Sequence, residues 1–112
     1  MPRWLGEVLK AVHRNVRRGT VQVTLKALQE MAALEPSISP AEACQLLEGL
    51  DRASFRRRLR SIRSGEWLYV FRTAWCAERV YIKLLLRSGC TIVSFHPEAS
   101  DDEFEEGPQA PG

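Results

Sequence analysis

Most of the devices that metal enzymes, disulfide-framed domains and membrane proteins rely on are missing from this chain. Cysteine occurs three times in 112 residues, at Cys44, Cys76 and Cys90, with no C-x-x-C spacing. An odd count without paired spacing indicates neither a disulfide frame nor a zinc site and leaves buried or free thiols. The only histidines, His13 and His96, are far apart and the acids are scattered, so no metal-ligand set is indicated and no cofactor is expected. There is no glycine-rich phosphate loop and no serine elbow. No apolar run approaches the ~18 residues of a membrane span. Met1 to Glu7 lack the basic start and unbroken apolar core of a signal peptide, which predicts a cytoplasmic protein with no membrane partner.

Charge of one sign is missing from two stretches. No Lys or Arg follows Arg87, and no Asp or Glu lies between Arg52 and Arg63. The net charge of +2 therefore hides an asymmetry. Residues 1–97 hold all 16 basic residues and only eight of the 14 acids, a net of +8. Residues 98–112 hold the other six acids, with two prolines, two glycines and one large apolar residue, Phe104. That composition predicts one domain over 1–97 and an acidic disordered tail over 98–112. The tail reads either as a solubilising end or as an internal phosphate mimic lying over the basic body. A body this basic points to a polyanionic partner, the plain alternative being a solvated charge run.

Local signals then place the elements. Leu5, Val8, Leu9, Val12 and Val16 recur at helical spacing, giving a first amphipathic helix that ends near Arg18-Gly19, with His13 a boundary residue beside the stripe. Val21-Gln22-Val23 is a short extended piece. Thr24 caps a second helix whose apolar set is Leu25, Leu28, Met31, Ala32 and Leu34. Ser39-Pro40-Ala41-Glu42 is a capping box with proline at the first helical position, opening a third helix in which Cys44, Leu46, Leu47 and Leu50 face inward.

Asp51 is placed to cap a fourth, short helix running through Phe55 and Leu59. It would carry Arg52, Arg56, Arg57, Arg58 and Arg60, with Arg63 just beyond, and Arg56, Arg60 and Arg63 on one face. Six arginines in twelve residues without an acid cannot all find partners inside the chain. Guanidinium forks grip phosphate oxygens in pairs, so the cluster is a candidate phosphate clamp, the alternative being a solvated helix face. Glu66 to Arg72 is an aromatic-rich strand whose buried face periodicity does not decide, and Thr73 to Glu78 reads as a loop.

Arg79 to His96 is the most informative stretch. Two apolar, β-branched runs flank Arg87-Ser88-Gly89-Cys90, a hairpin pattern with Ser88-Gly89 as the turn. Counting outward, Arg87 faces Cys90, Lys83 faces Ser94 and Tyr81 faces His96. Alternation puts those last four side chains on one face and Val80, Ile82, Leu84, Val93 and Phe95 on a core face. Helices followed by antiparallel strands make the fold class α+β, with N-terminal helices packed on a small antiparallel sheet.

A phenol and an imidazole side by side, a lysine next to them and an arginine cluster nearby supply what metal-free RNA cleavage needs. A base takes the ribose 2′-hydroxyl proton, that oxygen attacks the neighbouring phosphate, and an acid protonates the departing 5′-oxygen. Cations stabilise the charge gathering on phosphorus. The nucleophile belongs to the substrate, so DNA is spared. Exposed aromatics such as Tyr69 or Trp75 are placed to stack a base. The candidate proton-transfer pair is Tyr81 and His96, with Lys83, the arginine cluster (Arg56 and Arg60 among it) and Tyr69 binding substrate. The rival readings are a non-catalytic RNA-binding module and a basic DNA-binding protein.

Gly49-Leu50-Asp51-x-x-Ser54-Phe55, Trp67-x-x-Val70-Phe71-Arg72, Val80-Tyr81-Ile82-Lys83 and Ile92-Val93-Ser94-Phe95 together resemble the MqsR family of toxins over residues 3 to 97. The resemblance implies a RelE-like fold and a metal- and ribosome-independent mRNA endoribonuclease cutting at GCU-type sites. It implies growth arrest and persistence, and a cognate zinc-containing, helix-turn-helix antitoxin of the MqsA type, through which the toxin touches operator DNA only indirectly. The family's tyrosine falls on Tyr81. Its lysine two after the phenylalanine of the Ser54-Phe55 segment is here Arg57, a candidate catalytic residue that keeps the charge but does not act as an acid near neutral pH, and that with Arg72 would hold the phosphate. Its later lysine is here His96, the side-chain type that changes charge nearest neutrality. Its glutamine is here Leu68.

Overall fold

The computed structural model describes residues 2–98; the remainder of the acidic tail lies outside the described residues. The order is α1 (Arg3–Arg18), β1 (Val21–Val23), α2 (Leu25–Ala32), α3 (Pro40–Glu48), a 3-10 turn (Arg52–Ser54), then β2 (Phe55–Arg60), β3 (Trp67–Trp75), β4 (Glu78–Leu85) and β5 (Cys90–Pro97). The five strands form one sheet in the order β1-β5-β4-β3-β2. All neighbours are antiparallel except β1, which runs parallel to β5. The fold is thus the expected α+β, on a mixed sheet.

The helix boundaries follow from local chemistry. Gly19 takes the left-handed conformation (φ 72°) that ends α1, and its N–H reaches back to the carbonyls of Asn15 and Val16. The Ser39 hydroxyl accepts from Glu42 N–H while the Glu42 carboxylate accepts from Ser39 N–H, the reciprocal box foreseen from the sequence. His13 Nε2 lies 3.1 Å from the Leu50 carbonyl, which ties α1 to the end of α3. The core lies between the helices and one sheet face: Leu5, Val8, Leu9 and Val12 from α1, Met31 from α2 and Leu47 from α3 meet Phe71, Val80, Ile82, Leu84, Ile92 and Phe95.

Three expectations are corrected. Leu25 (71% exposed) and Leu28 are exposed, because α2 turns Ala27 and Met31 inward and reaches β5 with Glu30. Thr73 to Trp75 belong to β3, which pairs to the end with Trp75 opposite Glu78, so the loop is only the Cys76-Ala77 turn, with Cys76 at φ 57°. Asp51 does cap, accepting from Ser54 N–H, but only a 3-10 turn follows, and the arginine segment is the strand β2. Phe55 and Leu59 sit four apart, which suits a helix face and one strand face equally. A register shift between Phe55 and Arg57 then breaks the alternation that would have revealed the strand.

As a strand, β2 has partners for several of its arginines. Arg58 lies over Trp4 of α1 (4.2 Å) and over Trp67 (3.9 Å), and Arg60 also lies over Trp67 (4.2 Å). Arg60 further donates to the Gly65 carbonyl and Arg56 to the Phe55 carbonyl. Guanidinium stacked on indole keeps its charge while covering apolar area, which helps this strand to carry a run of arginines.

Candidate functional site

The candidate residues are sorted by which face of the sheet they occupy. The face turned away from the core carries two rows of register partners. One runs Arg57, Val70, Lys83, Ser94 across β2, β3, β4 and β5; the other runs Arg72, Tyr81, His96 across β3, β4 and β5. A third row, Leu59, Leu68, Leu85 and Thr91, is the apolar end of that face. Five of the eight singled-out residues, Tyr81, His96, Arg57, Lys83 and Arg72, therefore share one surface. Tyr69 and Arg60 do not: Tyr69 packs against Trp4 (centroids 6.0 Å) and Arg60 stacks on Trp67, both on the helix side. Arg56 sits at the register shift, exposed, beside that surface.

The phenol and imidazole are brought together as the hairpin predicts, by a different turn. The innermost pairs are Leu85 with Thr91 and Leu84 with Ile92, leaving the five residues Leu86 to Cys90 between them, so that Arg87 does not face Cys90. Gly89 is not in the left-handed region, and a Cβ there would stand 3.4 Å from the Thr20 carbonyl oxygen, at the edge of ordinary contact. Carried on unbroken, that loop register would set Tyr81 against Phe95. One extra residue on β5, Val93, shifts it, and Lys83 then faces Ser94 and Tyr81 faces His96. Ile92 takes the core position expected of Val93, which is half-exposed.

Side chains from α2 hold this irregular stretch of β5. β1 pairs only with Cys90 to Ile92, so beyond it the edge of β5 needs other partners. Thr24 N–H donates to the Ile92 carbonyl (3.1 Å), and the Thr24 hydroxyl donates to the Val93 carbonyl (3.1 Å) while accepting from Ala27 N–H as the cap of α2. Glu30 accepts from Phe95 N–H at 2.7 Å and from the Ser94 hydroxyl at 3.3 Å.

The tyrosine and histidine rings stand 6.1 Å apart at 42°. His96 is 3% exposed, with Nδ1 3.3 Å from the Pro97 carbonyl; Tyr81 is the more open of the two. An Arg72 nitrogen lies 3.4 Å from the Glu98 carboxylate, which joins the start of the acidic end to the row containing Tyr81. Leu68, in place of the family's glutamine, lies on the same face. Among the described residues no three His, Cys, Asp or Glu side chains converge as a metal-ligand set, and no helix is long and apolar enough to cross a membrane. Lys26 is the residue sequence reasoning missed: its ammonium lies 3.3 Å from the Ser94 hydroxyl, a contact across 68 residues that no local pattern announces.

A small basic α+β domain, with cations, a phenol and an imidazole gathered on the sheet face opposite its helices, matches one family model. That model is described as motility quorum-sensing regulator, toxin of MqsA, and covers residues 7–97. The chain belongs to this family, and so to the toxins of toxin–antitoxin systems, which implies an antitoxin partner. No curated protein matches it significantly.

Proposed function

We propose that this toxin is a metal-independent, ribosome-independent mRNA endoribonuclease, leaving 2′,3′-cyclic phosphate and 5′-hydroxyl ends. The observation that carries the reading is the convergence of Arg57, Lys83, Arg72, Tyr81 and His96 on one sheet face. Tyr81 and His96 form the proton-transfer pair. The more open phenol meets the substrate first, and the imidazole is reached by displacing what covers it. Arg57, Lys83 and Arg72 hold the phosphate and stabilise its added charge. Sequence selection at GCU-type sites, and neutralisation by a zinc-containing, helix-turn-helix antitoxin of the MqsA type, come from the family likeness. The domain proper ends at Pro97.

A second reading, a non-catalytic RNA-binding module on the same fold, is favoured by the buried imidazole and by Leu68. Incubating purified protein with mixed-sequence RNA in excess EDTA separates the two. Fragments ending in cyclic phosphate, lost in both Tyr81→Phe and His96→Ala, support the nuclease. Tight RNA binding by a folded wild type without any cleavage sinks it in favour of the binder.

A further inference from the structure

The cationic face does not stop at the edge of the sheet. Lys26, in the first turn of α2, sets its ammonium 3.3 Å from the Ser94 hydroxyl, and Ser94 is the register partner of Lys83. The row that begins at Arg57 on β2 and passes Lys83 on β4 thus ends in a third cation, Lys26, at Ser94 on β5.

Lys26 is poorly placed for its own helix. A cation in the first turn opposes the helix dipole, and α2 has no acid there to offset it. Its ion pair with Glu30 (2.8 Å) runs lysine-first along the helix, the weaker order for such pairs. What the pair does achieve is orientation. Glu30, whose side chain is 18% exposed, turns inward onto Phe95 N–H and Ser94, whereas Lys26 is 59% exposed and faces outward. An anion approaching the end of the row meets the ammonium before the carboxylate.

We infer that Lys26 is a further substrate-binding residue, which holds an RNA phosphate on the β5 side of the reacting one, so that the RNA backbone crosses the strands from β2 towards α2. The inference rests on the proposed RNA-cleaving site and extends it by one phosphate. The experiment measures Kd against salt concentration for a single-stranded RNA blocked by 2′-O-methyl groups, with wild type, Lys26→Gln, Lys26→Arg and Lys10→Gln. Lys10 is an exposed lysine of α1, the helix on the opposite face.

One phosphate contact on a single strand contributes ~0.7 to the slope of log K against log salt. Lys26→Gln should lower the slope by about that amount, a roughly fivefold smaller loss of affinity per tenfold rise in salt. Lys26→Arg and Lys10→Gln should keep the wild-type slope. An unchanged slope in Lys26→Gln, or an equal fall in Lys10→Gln, overturns the inference and leaves the site itself standing. A wild type that binds no RNA overturns both.

Discussion

Arg72 carries a carboxylate where the proposed substrate would place a phosphate, and this has a measurable consequence. Replacing Glu98 by Gln removes the anion while keeping size and hydrogen-bonding capacity. The pair is 3.4 Å long and both side chains are partly open (27% exposed for Arg72, 37% for Glu98). Such a screened contact contributes ~0.5–1 kcal/mol, so it is closed about two to five times as often as it is open. RNA must open it before using Arg72, which weakens apparent affinity by the open fraction. Glu98→Gln is therefore expected to bind single-stranded RNA about three- to sixfold more tightly at low salt, the gain fading as salt screens the pair. The unfolding free energy should fall by less than ~1 kcal/mol.

Fluorescence anisotropy with a labelled, 2′-O-methylated RNA measures this directly. In an Arg72→Gln background the same change at Glu98 should have little effect, because the competition has lost its object. An unaltered affinity in Glu98→Gln, alongside a clear loss in Arg72→Gln, would refute the reasoning: the ion pair would then be a bystander, and Arg72 would meet RNA without displacing it.

Neighbouring arginines should behave oppositely. Arg58→Ala, which strips the stacks on Trp4 and Trp67, should destabilise by about 1 kcal/mol or more with little effect on RNA binding, whereas Arg57→Ala should weaken RNA binding; urea melts and RNA titrations check both. The thiols should also separate. Cys76 is exposed, but Cys90 is buried, and that burial, with Cys44 nearby, pushes its thiol up to about 12 from 9.0. Disulfide reagents should therefore modify Cys76 first and reach Cys90 only on unfolding. Because the folded thiol ionises later than the unfolded one, the stabilisation is complete below pH 9 and drains away as pH rises towards about 12. Cys90→Ala should flatten that decline in pH-dependent melts.

The parts legible in the sequence are those whose causes are local. Ser39 with Glu42, and Gly19 at its left-handed position, act on residues within one turn, so the ends of the first and third helices could be read directly. The alternation of Val80, Ile82 and Leu84 announced the core face of β4. The arginine strand was hidden because its deciding partners are distant: β3 supplies the ladder and Trp4, more than 50 residues earlier, supplies a stacking surface for Arg58. Lys26 was hidden for the same reason, since its relation to Ser94 exists only once α2 docks on β5.

The site's central pairing depends on both kinds of cause at once, and Thr24 is where they meet. Its hydroxyl caps α2, which the sequence announces, and also grips the Val93 carbonyl at the extra residue that sets Tyr81 against His96. Thr24→Val keeps the shape and removes both bonds. It should cost ~1–2 kcal/mol as a lost cap and leave a carbonyl on β5 short of its donor. Ser39→Ala removes a cap of the same kind on α3, away from β5, and should cost a similar amount. If Thr24 does no more than cap, the two variants will keep the same RNA-cleaving activity once both are fully folded. If it also holds the register, Thr24→Val alone will lose activity at equal stability, and the amides of Val93 to His96 will exchange faster with solvent. Equal activity and equal exchange in the two would show that the shift at Val93 is maintained by the hairpin itself.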